Sequence, residues 1–412
     1  MSPTSAAPLR VRGMRDLLPD EMAAFRKLED AFRDVSSAWG YREVRTPALE
    51  YLHLFTSAGT LSPQLLDRVY SFLDWDGWSG ERVVLRPDGT IPVARLFGES
   101  ARDLLPARLA YVQEVYRFAT GDQPRSEWQC GTELIGAGGP LADLELIAVG
   151  VETLRRCGAQ AVRVRVSHAG IARALLAAAG LGRAEQVAMY DALLAGDRAA
   201  VERLGALLPG ALSAAVLLDV AEAGVGYVTN LQALLGDRVP GLAEPLAELR
   251  TVVETLDRLH VDCAVTPLLA RDFEYYRGVV FRFDVGEADV GGGGRYDGLL
   301  EFVGAADVPA SGFAFDVPSL LAAVRIEPGG PLTVPLVVER DDPATYAAAM
   351  AAAKRLHRAG VAASVMRAPA PLPHLVVDLE DPARPFVLRS DGGAEREGDL
   401  GAALARLERL RR

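Results

Sequence analysis

The chain reads as an α+β protein, with an antiparallel sheet flanked by helices, a helical insertion, and a small α/β domain towards the C-terminal end. Three observations predict this. Strand candidates in the first third are separated by turn chemistry rather than by regular helices, which favours hairpins over crossovers. From about residue 169 to 260 the texture becomes alanine- and leucine-rich and helical. Beyond the linker EPGGP (327–331) a strand, a helix and a second strand follow one another. The expected domains are a discontinuous core of 1–168 with 261–326, an insertion of 169–260, and a C-terminal unit of 332–412.

Each element rests on its own pattern. PDEMAAFRKLEDAFRDVSSAWGY places Phe25, Leu28, Phe32, Val35 and Trp39 on one helical stripe, closed by Gly40. ERVVLRP (81–87), ARLAYVQEVYRFA (107–119) and SEWQCGTELIG (126–136) read as strands. PLADLELIAVGVETLRRCG reads as a helix ending at Gly158, and AVRVRVSH as an alternating strand. YYRGVVFRFDV, from Tyr275 to Val285, reads as a long strand, after which GGGG lets the chain fold back. LTVPLVVE, the helix around ATYAAAMAAAKRLHRAG, and VAASVM make a βαβ-like unit.

Bulk properties bound the function. With 412 residues, half of them apolar and 24% charged, the profile is that of a soluble globular protein of two or three domains. A net charge of −11 argues against wide non-specific contact with nucleic acid, which needs a basic face. The 331–412 tail carries 12 basic and 11 acidic residues and is nearly neutral. Three dispersed cysteines (Cys130, Cys157, Cys263) form no CxxC pair, which fits a reducing cytoplasm. Five scattered histidines give no metal-ligand spacing, so no metal is expected. The opening MSPTSAAPLRVRG lacks a signal-peptide run, and no stretch spans a membrane.

The four glycines of ADVGGGGRYDGLL invite a phosphate-loop assignment, but no Gly-Lys-Ser/Thr follows, and the chain holds only two lysines, Lys27 and Lys354. More informative are charged groups inside strand patterns. Alternation in EWQCGTE puts Glu127, Gln129, Gly131 and Glu133 on one face, opposite Trp128 and Cys130. That face is either solvated or lines a polar pocket. A second segment carries Arg271 beside Tyr275 and Tyr276. Carboxylates facing an arginine across one sheet suit a zwitterion, because arginine grips a carboxylate in bidentate fashion. An amino acid is the natural small ligand.

Taken together, these stretches resemble histidyl-tRNA synthetase, a class II aminoacyl-tRNA synthetase, over about residues 1–325. WGYREVRTPALE resembles motif 1, YVQEVYRF with PRSEWQCGTELIG motif 2, and LARDFEYYRGVVF with GGGGRYDGL the two histidine-specific motifs. GMRDLLPDE and VVLRPDGT resemble the family's opening and its amino-group segment. The resemblance implies a histidine-binding site. Asp88 (glutamate in the synthetase), Thr90 and Gln129 would face the ammonium, Glu133 and Tyr276 the imidazole, and Arg271 the carboxylate. Tyr275 would pack or contact the ligand. Arg117 matches the motif 2 arginine and, with Arg295 and Asp297, is expected to be structural or a remnant of the site. The glycines become part of the pocket floor.

Departures from the pattern lie on the nucleotide side. Where the synthetase has Arg-His-Glu, this chain has Arg117-Phe118-Ala119, followed by a shorter, less basic loop. In GFAFDVPSL, Ser319 stands at the arginine position and Asp316 at a glycine. At an effective dielectric of ~20, a like charge ~4 Å from a phosphate costs about 4 kcal/mol. Retention of the histidine half with loss of the ATP half resembles a paralogous branch, the regulatory subunits of ATP phosphoribosyltransferase. That resemblance implies no catalysis and no cofactor. It implies L-histidine as feedback ligand and a short-form catalytic subunit as partner. It also implies a homodimer through the motif 1 region within a hetero-octamer, while the near-neutral tail gives little support for gripping tRNA. The tail resembles an abbreviated anticodon-binding-like domain. A functional histidyl-tRNA synthetase with atypical ATP motifs and a stand-alone histidine-sensing module stay open as alternatives.

Overall fold

The structure, a computed structural model, describes residues 9–57, 68–75, 80–194, 197–208, 224–236, 238–266, 276–305, 308–326, 333–367 and 372–411. The chain divides into two compact units, Met1–Pro328 and Gly329–Arg412.

In chain order the strands of the first unit are β1 (Arg42–Glu43), β2 (Leu49–Tyr51), β3 (Ser71–Trp75), β4 (Gly80–Leu85), β5 (Ala107–Tyr116), β6 (Ser126–Ile135), β7 (Val162–His168), β8 (Asp262–Val265), β9 (Val279–Val285), β10 (Ala288–Arg295) and β11 (Ala310–Asp316). Eight of them form one sheet in the order β1-β5-β6-β11-β10-β9-β7-β8. It is antiparallel throughout its middle, but β1 runs parallel to β5 at one edge and β7 parallel to β8 at the other. Parallel neighbours need a long connection. The helical segment between His168 and Asp262 supplies one, so the insertion is itself the crossover. The ERVVLRP strand does not join this sheet. As β4 it lies in a separate three-stranded sheet, β2-β4-β3.

Three further expectations are corrected. The β9–β10 hairpin turns at Gly286 and Glu287, where Gly286 takes φ +60°, and not at the four glycines. Gly291–Gly294 lie inside β10, paired with β9 on one side and β11 on the other. The preceding strand runs Val279–Val285 rather than from Tyr275. In the helix Pro19–Ala38, Phe25, Leu28, Phe32 and Val35 are buried as the stripe predicts. Trp39, however, sits beyond the last turn, 37% exposed, and its Nε1 donates to Glu152 at 2.8 Å.

One face of the large sheet is a hydrophobic core. Phe281, Phe283, Phe313 and Phe315 interlock across three neighbouring strands, with ring centroids 5.0–6.5 Å apart. Each such buried ring contributes about 1.5–3 kcal/mol. The helix Gly139–Arg156 lies over them, and a Cβ at Gly150 would overlap the Phe283 ring, so the helix approaches this closely only with glycine there. With this face sealed, the opposite face is left to carry polar groups.

The second unit contains β12 (Val334–Val338), β13 (Ala363–Arg367), β14 (His374–Val377), β15 (Phe386–Ser390) and β16 (Gly393–Glu397), in the sheet order β13-β12-β14-β15-β16. β12 and β13 are parallel and joined by the helix Pro343–Arg358, the βαβ arrangement the pattern predicts. Asp342 starts that helix by accepting the Thr345 N–H at 2.9 Å. No described helix is long and apolar enough to cross a membrane.

Candidate functional site

The register of the large sheet assembles the polar face. Glu133 of β6 stands between Leu109 of β5 and Gly312 of β11, and Gly312 in turn pairs with Gly294 of β10. One step along, Tyr111, Gly131, Ala314 and Gly292 form the next cross-strand row. Beyond it come Gln113, Gln129 and Asp316. Small residues therefore make a floor, with long polar side chains from β5 and β6 laid across it. A Cβ at Gly312 would overlap Glu133 Oε2, and one at Gly131 would overlap the Tyr111 hydroxyl. The glycines let a carboxyl and a phenol lie flat against the sheet.

Glu133 is fully buried, so this strand face is not solvated at that position. Its Oε2 accepts a hydrogen bond from the Tyr296 hydroxyl, while Oε1 has no hydrogen-bond partner among the described residues. Burial pushes the carboxyl up to about 8, against the pull of the Tyr296 hydrogen bond. The shift favours the protonated carboxyl, a form able to donate as well as accept a hydrogen bond. The hydroxyl of Tyr111, itself completely buried, also lacks a hydrogen-bond partner among the described residues.

Asp88 lies in the bend between β4 and the helix Thr90–Ser100, 5% exposed, with Oδ1 accepting the Ile91 N–H at 3.0 Å. Burial raises its pKa to about 6, opposed by the Ile91 N–H and by the positive charge of Arg117. Thr90 opens the same helix and lies against Glu133 and Tyr111. Gln129 is half-buried, and its Oε1 has no partner among the described residues. The Tyr276 ring packs over Gly294, whose added Cβ would come 2.8 Å from Cδ1. Asp88, Thr90, Gln129, Glu133 and Tyr276 thus gather around one floor. Arg271 and Tyr275 lie outside the described residues. Among those described, no group of three or more metal-ligating side chains is found.

Arg117 and Arg295 take supporting places. Arg117 Nε donates to the Pro87 carbonyl at 3.0 Å, and its Nη1 lies 3.5 Å from Glu127. Arg295 points to the opposite face of β10, where it meets Glu248 and lies 3.3 Å from Asp143. Asp297 accepts the Ala310 N–H at 3.0 Å. Sequence reasoning missed Tyr111 and Tyr296, although alternation along β5 and β10 carries both onto the floor side. It also missed Arg86, a buried arginine that donates to the Thr46, Pro47 and Glu114 carbonyls at 2.7–3.1 Å and pins β4 to β5. A cleft of about 540 Å³ lies elsewhere, lined by Phe25, Trp128, Val317 and Leu321, and holds none of the predicted site residues.

An antiparallel sheet with a glycine-floored polar face, entered by a strand–helix segment bearing Asp88 and Thr90, is the architecture of class II aminoacyl-tRNA synthetases. Residues 13–320 match the family described as Histidyl-tRNA synthetase, and the chain belongs to that family. Among its relatives is an ATP phosphoribosyltransferase regulatory subunit of Dehalococcoides mccartyi (strain BAV1), 46% identical over 320 residues that cover 77% of this chain and 78% of the relative. A histidine–tRNA ligase of Pyrobaculum islandicum is 33% identical, over 85% and 82% of the two chains. A crystal structure from Bacillus halodurans, described as an ATP phosphoribosyltransferase regulatory subunit/histidyl-tRNA synthetase, superposes with a TM-score of 0.74 at 26% identity. It covers 88% of this chain and 93% of that one.

Proposed function

We infer that the chain is a regulatory subunit of ATP phosphoribosyltransferase, the enzyme that opens histidine biosynthesis. It binds L-histidine on the glycine floor, performs no bond chemistry, and acts on a separate short catalytic subunit in the cytoplasm. The observation that carries this is the contrast between the two ends of the polar face. At one end stand Glu133, Tyr111, Tyr276 and Gln129, three of them with unpartnered buried oxygens among the described residues. At the other end the groups are already engaged with the protein. Asp316 accepts the Ser319 N–H at 2.7 Å, and Arg117 is held by Pro87 and Glu127. The Glu127 carboxyl is raised by burial and then by the neighbouring Asp316. Two adjoining acids with one committed arginine disfavour a triphosphate.

Regulation requires that histidine bind the active and inhibited states of the complex with different affinity, since equal binding shifts nothing. A tenfold effect needs about 1.4 kcal/mol of difference, within reach of one charge-assisted hydrogen bond. The small β2-β4-β3 sheet exposes Leu49, Tyr51, Phe72, Leu73 and Trp75, a surface suited to burial against a second copy within a larger assembly. In the Gly329–Arg412 unit, Arg340, Arg355, Arg367, Arg389, Arg396 and Arg406 each pair with a carboxylate, which weakens any basic grip on tRNA. The test is co-purification with a short-form phosphoribosyltransferase, with its activity measured with and without this chain and L-histidine. No association and no effect on rate would end the proposal. A functional histidyl-tRNA synthetase, which the ligase relative keeps in view, predicts histidine-dependent ATP–pyrophosphate exchange. The regulatory assignment predicts none.

A further inference from the structure

Arg295 closes β10 between two residues of the site. Strand alternation sends its neighbours Gly294 and Tyr296 to the floor, where Gly294 seats the Tyr276 ring and Tyr296 reaches Glu133. The Arg295 side chain goes the other way. There, 8% exposed, it is paired with Glu248 of the helix Ala243–Arg258, which belongs to the helical segment between β7 and β8. Its backbone carbonyl accepts the N–H of Arg277 at 2.8 Å and of Gly278 at 3.3 Å. A Cβ on Gly278 would overlap the guanidinium. Whatever holds Arg295 therefore holds residues 276–278 as well as Tyr296.

Three carboxyls face the Arg295 charge: Glu248, Asp143 and, at the longer distance of 4.0 Å and largely outside the buried side, Asp297. Asp143 is 3.3 Å away, yet neither of its oxygens has a hydrogen-bond partner among the described residues, and burial pushes it up to about 7. Partial burial pushes the Glu248 carboxyl up, but Arg295 and then His168 together outweigh it and hold the group below the usual carboxylate range. His168 Nδ1 accepts the Gly170 N–H at 3.0 Å, so Nε2 carries the ring proton and donates to Glu248 at 3.1 Å. Glu248 is thus the nearest counter-charge to Arg295, oriented by the His168 ring.

We infer that Glu248 is a positioning residue for the ligand pocket: through Arg295 it fixes Tyr276 and Tyr296, and it thereby couples the helical insertion to ligand affinity. This rests on the histidine-binding reading above for its ligand, but not for its mechanics. The insertion would be an effector arm as well as a crossover. A partner that displaces the helix Ala243–Arg258 would loosen the pocket, and ligand would in turn steady that helix.

The experiment compares the intact protein with Glu248→Gln and Glu248→Asp. Amide hydrogen exchange is followed without ligand at Arg277, Gly278 and Tyr296, and L-histidine affinity is measured by calorimetry. Glu248→Gln is expected to speed exchange at those amides and weaken affinity about three- to tenfold, the range that distributed couplings show. Glu248→Asp, which keeps the charge, should recover part of both. Should the Gln variant not fold, the Asp variant carries the comparison alone. Unchanged exchange at those amides would overturn the inference, as would faster exchange with unaltered affinity. If the unsubstituted protein binds no L-histidine, the ligand assignment falls, and the exchange comparison still decides whether Glu248 positions the strand end.

Discussion

The Tyr296 hydroxyl donates to Oε2 of Glu133, tying the end of β10 to β6 across β11. Both residues are buried, and the tyrosine is the largest influence opposing the burial-driven rise of the Glu133 pKa. Tyr296→Phe keeps the ring and removes the donor. It should cost about 1 kcal/mol of stability and raise the Glu133 pKa further. L-histidine affinity should fall about tenfold, equivalent to about 1.4 kcal/mol. Calorimetry against a thermal melt separates the two effects; unchanged affinity would remove Tyr296 from the site.

Proton occupancy at Glu133 gives the unliganded protein a defined pH dependence. Its folded pKa, about 8, lies above the ordinary 4.5, so the native state retains a proton that the unfolded chain has released. Stability from this group is complete below about pH 4.5 and is lost as pH rises towards 8, at up to about 1.4 kcal/mol per unit. Asp88 and Asp143, raised to about 6 and about 7, act in the same direction over lower windows. Urea unfolding midpoints should therefore fall between about pH 5 and about pH 8, and Glu133→Gln should flatten the upper part of that fall. Equal slopes in the two proteins would show that Glu133 titrates normally.

Much of the site was legible because strand alternation is local. Reading every second residue of β6 placed Glu127, Gln129 and Glu133 on one face, and the register shows them there. The same rule applied to GGGGRYD would have chosen Tyr296 with Gly292 and Gly294. Charge drew notice instead to Arg295 and Asp297, which alternation turns away from the floor. The parallel edges β1·β5 and β7·β8 were not legible. Each pairs segments separated by a long stretch of other structure, and nothing in either strand specifies its partner. Glu248 was hidden for a similar reason: on a helix it is one acid among many, and only the packed fold sets it against Arg295.

Glycine replacement tests the floor. A Cβ at Gly312 overlaps Glu133 Oε2, which would have to swing away, and comes 2.7 Å from the Thr132 carbonyl oxygen, a backbone atom that yields little. Gly312→Ala should lose about 1–3 kcal/mol through overpacking, together with L-histidine binding, because the carboxyl must leave its place. Gly226 sits in the helix Val225–Leu235 with nothing within 4 Å of an added Cβ. Gly226→Ala should gain about 0.5–1 kcal/mol from helix propensity and leave binding alone. Thermal melts and calorimetry on both variants check the contrast.

Asp316 separates a helix cap from a ligand contact. It ends β11 beside Gln129, close enough to the floor to be mistaken for an ammonium partner, yet its Oδ1 accepts the Ser319 N–H and starts the helix Val317–Ala323. Removing such a cap costs about 0.5–2 kcal/mol. It would also relieve Glu127, whose pKa is raised by burial first and Asp316 second. Asp316→Ala should therefore lower the melting temperature while leaving L-histidine affinity as it was. Asp316→Asn, which keeps an accepting oxygen, should restore most of the stability. A loss of affinity in both variants, with the melt unchanged in the second, would place Asp316 in the binding site and move the ammonium end of the ligand away from Asp88.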